Sequence, residues 1–123
     1  MDAGAAQNGP DVRDLLPGAR YLVQQLCEAN PGIPIVFMSH GERYLDVGAV
    51  ASTPLSPDQQ AVREACRGNE QCHFLDLRLA FSRDWAAHHQ RFEAVDAGHW
   101  NAYARRLVAR TLADYIEEHD LLD

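Results

Sequence analysis

Ile33 to Ser39 (IPIVFMS) is a nearly unbroken apolar run, with β-branched side chains at Ile33, Ile35 and Val36. A strand with one wet face alternates apolar and polar residues; a run without that alternation predicts a strand covered on both faces, the kind found in parallel sheets. Pro34 belongs near its start, because proline cannot donate to a ladder. Cys72 to Leu77 (CHFLDL) reads as a second strand of the same kind. Parallel neighbours cannot be joined by a tight hairpin, so helices must intervene.

Helical patterns surround both runs. Pro17 suits the first turn of a helix that runs to about Asn30, with Leu22, Val23, Leu26 and Cys27 as its apolar stripe, and Asn30-Pro31-Gly32 ends it. Ser56-Pro57-Asp58-Gln59 predicts a helix start with Ser56 as cap and Gln59 completing a capping box, and Gly68-Asn69 closes that helix. Residues 78–95 are ambiguous, with a short helix expected around Asp84 to Gln90. From Asn101 to about His119, Tyr103, Leu107, Val108, Leu112, Tyr115 and Ile116 share one side, and Arg105, Arg106, Arg110 and the acidic residues share the other. Residues 1–13 read as a flexible lead-in and residues 14–123 as one α/β domain with a short parallel sheet. Two strands make a poor sheet. Either a third lies in the irregular stretch from His40 to Leu55, or the chain belongs to something larger, or it pairs with another chain.

Charge narrows the function. The formal net charge is -7. This argues against nucleic acid as a partner, which needs clustered Lys and Arg. All 11 basic residues are Arg, so a Lys Schiff base or a P-loop lysine is excluded. Arg105, Arg106 and Arg110 read as a solvated helix face. No apolar run reaches the length of a membrane span, and Met1 to Pro10 lacks the features of a signal peptide. The default expectation is cytoplasmic, or periplasmic or extracellular if the chain derives from a longer exported protein. Of the three cysteines, Cys27 reads as a small core residue. Cys66 and Cys72 flank a turn-like stretch where a local disulfide is accessible, although the plainer expectation leaves both reduced.

The chemistry concentrates in Asp96-Ala97-Gly98-His99-Trp100-Asn101, just ahead of the last helix. An Asp three residues before a His can accept one imidazole N–H and fix the tautomer, leaving the other ring nitrogen to take a proton from a nucleophile. Ser39, at a strand end before His40-Gly41, is the candidate for a local nucleophile; its plainer reading is a strand-end hydroxyl bonded to local backbone. Asp84, His88, His89 and His99 are the candidate metal ligands, but adjacent histidines on a helix point about 100° apart and seldom chelate together. No cofactor or metal is expected.

Phe74-Leu75-Asp76-Leu77, then Asp96-Ala97-Gly98-His99-Trp100-Asn101 and the helix from Ala102 to Ala109, resemble the C-terminal part of SGNH/GDSL hydrolases. The branch most similar includes sugar and polysaccharide O-acetyl esterases and acetyltransferases. The resemblance covers roughly Gly18 to the C-terminus. It implies a partial three-layer α/β/α, flavodoxin-like fold, with His99 as general base and Asp96 as its orienter. It also implies a small ester or O-acylated carbohydrate as substrate. The family's Gly-Asp-Ser nucleophile block and Gly-x-Asn-Asp motif have no counterpart here, and Ala104 stands where the family usually carries Gly. The expectation is therefore a truncated hydrolase or acyltransferase domain, weakly active or inactive alone, either as a homo-oligomer or missing an N-terminal half. The alternative is a non-catalytic α/β binding or assembly module derived from that fold.

Overall fold

A computed structural model describes residues 10–39, 42–95 and 98–122. The elements in chain order are α1 (Val12–Ala29), β1 (Ile35–Ser39), α2 (Val47–Val50), α3 (Pro57–Cys66), β2 (Cys72–Asp76), α4 (Arg78–His88) and α5 (Ala102–Glu118). β1 and β2 pair side by side as a short parallel sheet. The protein is thus a mixed α/β chain. Two units divide it, residues 1–37 with 55–74 and residues 38–54 with 75–123.

In the first unit, α1 starts earlier than the sequence suggests. Asp11 caps it, accepting from the Asp14 backbone N–H at 3.1 Å, and the Asp14 carboxylate accepts in return from the Asp11 N–H at 3.0 Å. This reciprocal box ties Asp11 and Asp14 together across the first turn. It starts the helix upstream, and Pro17 falls inside the helix rather than in its first turn. The buried face is Ala19, Val23 and Cys27, while Leu22 is 45% exposed. The expected stripe is therefore rotated, because a four-residue spacing keeps side chains on one face. Val23 and Cys27 form a core cluster with Cys66 and Cys72, and Ile35, Phe37 and Phe74 pack against it. Cys66 and Cys72 are joined as a disulfide, against the plainer expectation of free thiols. The capping box expected at α3 does not form. Ser56 donates its hydroxyl to the Asp58 carboxylate at 2.5 Å, and its oxygen accepts no cap bond from the first turn of α3.

The second unit is built on Leu77, Phe81, Phe92, Ala104, Leu107 and Val108. The ambiguous stretch resolves as α4, which starts at Arg78, well before Asp84, because Leu77 and Phe81 anchor it in this core. Asn101 caps α5 by accepting from the Ala104 N–H at 2.8 Å. Arg105, Arg106 and Arg110 face solvent. Among the described residues of 42–55 the only regular element is the short α2, so no third strand appears there. The strands themselves are mostly half-buried, and Met38 is 40% exposed. The burial expected on both faces of these runs is therefore only partial.

Candidate functional site

The segment from Phe92 to Asn101 leaves the core and returns to it. Phe92 is fully buried, its ring 4.8 Å from Phe81 and 5.4 Å from Tyr44. The Ala94 N–H donates to the His99 carbonyl at 2.9 Å, and the Asn101 N–H to the Phe92 carbonyl at 2.8 Å. An antiparallel bridge between Glu93 and Trp100 closes the excursion. Gly98 takes φ +108°, a backbone conformation that side-chain-bearing residues adopt only under strain. Asn101 completes the brace. Its amide donates to the Arg91 carbonyl at 2.8 Å and the Glu93 carbonyl at 3.3 Å, while its oxygen caps α5.

A polar frame holds the near side of this turn. The Tyr44 hydroxyl donates to Glu93 Oε1 at 2.5 Å and accepts from the Phe92 N–H at 3.1 Å. Arg43 Nη1 donates to Glu93 Oε2 at 2.7 Å. Burial opposes ionisation of Glu93, but the Tyr44 hydroxyl and the Arg43 and Arg91 guanidiniums more than offset it, so its carboxyl lies below the usual range. Burial, then the bond to Glu93, pushes the Tyr44 phenol up. His99 is exposed at the rim of a cleft of about 260 Å³, lined by Arg43, Gly98, His99 and half-buried Trp100. Asp96, the expected orienter, lies outside the described residues, as do His40 and Gly41.

Ser39 has a different setting. It is 2% exposed, and its hydroxyl donates to Asp76 Oδ1 at 3.1 Å and accepts from the Leu77 N–H at 3.3 Å. Arg78 grips the same carboxylate, with Nε 3.1 Å from each oxygen and Nη2 2.9 Å from Oδ2, and its Nη1 reaches the Thr53 carbonyl at 2.5 Å. Burial alone would raise the Asp76 pKa. The Arg78 side chain and backbone N–H, with Ser39, reverse this and hold the carboxyl below its ordinary value. A carboxylate so depressed is a weak base for the Ser39 proton. Ser39 is not among the residues lining the His99 cleft.

Asp84 and His88 pair along α4 at 3.5 Å, and Asp84 also accepts from the Tyr103 hydroxyl at 2.8 Å. Among the described residues no three His, Cys, Asp or Glu side chains form a ligand set for a metal ion. A larger cavity, about 320 Å³, lies in the same unit, lined in part by Leu79, Arg83, Asp114 and Tyr115, and shares no lining residue with the His99 cleft. No described helix is long and apolar enough to cross a membrane. The Arg43–Tyr44–Glu93 frame and the Arg78 clamp went unread in the sequence. Asp76-x-Arg78 was the one local signal; the first frame joins positions about 50 apart and left none.

No family model, no curated protein and no solved structure matches this chain.

Proposed function

We propose that the protein is the base-bearing part of an SGNH-like ester hydrolase or acyltransferase, acting on small O-acyl esters or O-acylated carbohydrates. The wider architecture would then be the three-layer, flavodoxin-like one, of which the parallel pair β1–β2 is a fraction. The observation that carries this reading is the presentation of His99. Its ring is exposed at a cleft, on a turn fixed by the Glu93–Trp100 bridge and by Asn101. A base held this way loses little freedom when it meets its substrate.

His99 would take the proton of an attacking serine, and Asp96 would orient the ring and stabilise the imidazolium. The proton would then pass to the departing alkoxide. Water, or an acceptor hydroxyl in a transferase, would release the acyl group by the reverse sequence. Among the described residues lining the cleft there is no Ser, Thr or Cys. On this reading the nucleophile and the oxyanion donors come from residues other than the described lining of this cleft, or from a partner chain.

The test is hydrolysis of a short-chain nitrophenyl ester by the polypeptide in its natural context, including any further segment its gene encodes. Turnover that falls on the order of 10³-fold or more in His99→Ala and in Asp96→Asn supports the reading. Turnover indifferent to His99→Ala, or lost in Ser39→Ala, overturns it. The bonds that occupy the Ser39 hydroxyl favour a second reading, a binding module on a related fold. That reading requires a folded gene product that ignores serine-directed fluorophosphonates yet binds glycans.

A further inference from the structure

Within the first unit, the short loop closed by the Cys66–Cys72 disulfide does more than link α3 to β2. It turns at Gly68, φ +80°, and is shaped by the Asn69 N–H on the Cys66 carbonyl at 3.1 Å and the Cys72 N–H on the Asn69 carbonyl at 3.0 Å. Two of its side chains reach across to the end of α1. The Asn69 amide donates to the Cys27 sulfur at 3.6 Å, and Asn69 Oδ1 accepts from the Gln71 N–H at 2.9 Å. Gln71 Nε2 donates to the carbonyls of Cys27 at 3.3 Å, of Asn30, and of Ile33 at 2.8 Å. The Cys27 and Asn30 carbonyls also accept from the Asn30 and Ile33 backbone N–H groups, at 3.2 and 3.1 Å, so Gln71 adds a side-chain donor to the turn that ends α1. Cys27, 8% exposed, packs in the same cluster as both bridged cysteines.

We propose that this disulfide is a redox-sensitive latch, whose opening releases the end of α1 and uncovers Cys27 as a site of thiol modification. The loop is short and polar, and its fixed shape aims Asn69 and Gln71. A dithiol reductant opens the latch. Two electrons and two protons pass to Cys66 and Cys72, which become thiols, and the reductant closes to its own disulfide. The loop then regains conformational freedom, and the bonds from Asn69 and Gln71 to α1 must be made at the expense of that freedom. The cover over Cys27 weakens, while the second unit, with its own core and the His99 turn, keeps its structure. The inference does not depend on the hydrolase reading.

The experiment follows Cys27 alkylation by maleimide with peptide mass spectrometry, and amide exchange along the chain, before and after dithiothreitol. Expected are a bridged Cys66–Cys72 peptide in protein refolded in glutathione buffer, and a slow Cys27. After reduction Cys27 labels about tenfold faster or more, amides from 26 to 33 exchange faster, and those from 92 to 101 are unchanged. The Cys66→Ser/Cys72→Ser variant labels fast with or without reductant; should it fail to fold, reoxidation of the reduced wild type must restore slow labelling. Three results overturn the latch: unlinked Cys66 and Cys72 in the oxidised protein, an equally slow Cys27 after reduction, or exchange that rises across both units together.

Discussion

Arg78 shows how one buried charge is kept. It is 5% exposed, and its guanidinium is spent on the Asp76 carboxylate and the Thr53 carbonyl. Removing Arg78 leaves Asp76 partly exposed and still bonded by Ser39 and the residue-78 N–H, so the loss falls below the roughly 3–5 kcal/mol of a fully buried pair. Arg78→Ala should lower stability by about 1.5–3 kcal/mol in urea unfolding; a loss under about 1 kcal/mol would show the pair to be solvated. Asp76 also sets a pH dependence. Its folded pKa is lowered, so the stability it contributes is present above the unfolded value, about 4, and is lost as pH falls through the lower folded value. The acid-side loss should shrink in Asp76→Asn, measured as unfolding midpoints against pH below about 4 and referenced to that variant's own neutral value. Asn101→Ala removes a helix cap and two braces of the His99 turn together. It should cost about 1–2 kcal/mol and speed amide exchange at Ala94 and His99.

At the scale of elements, both strands and helices α1, α3 and α5 were legible in the sequence, because apolar runs, apolar periodicity and breaker residues are local signals. The misreading of α1 has a local cause too. Proline at a first helical turn is favoured, but Asp11 and Asp14 form a stronger start, and Pro17 is carried inside α1. An interior proline removes a helical hydrogen bond, so Pro17→Ala should raise stability by about 1 kcal/mol or more, read as an upward shift of the unfolding midpoint. An unchanged or lower midpoint would mean that α1 already bends to accommodate the ring. The start of α4 was unreadable because Leu77 and Phe81 are fixed by contacts with Phe92 and α5 rather than by any cap. The candidate site was half legible. The loop holding His99 was singled out by the Asp96-x-x-His99 spacing ahead of the last helical pattern, while the Asn101 cap and the frame from Arg43 and Tyr44 went unread, the frame because it depends on the tertiary fold.

For the molecule as a whole, the parallel sheet has two strands among the described residues, which is a small scaffold, and open strand edges invite pairing. The proposed function requires further strands and a nucleophile from another segment or another copy. Sedimentation of the isolated chain should therefore show concentration-dependent association; a monomer at every concentration would argue against partnership through the sheet edge. The central claim, that a carboxylate orients His99 for proton transfer, is tested most directly by long-range proton–nitrogen NMR of the His99 ring near pH 9, where imidazoles are neutral. The account predicts the Nδ1–H tautomer in the wild type, reverting to Nε2–H in Asp96→Ala. An Nε2–H ring in both proteins would contradict it.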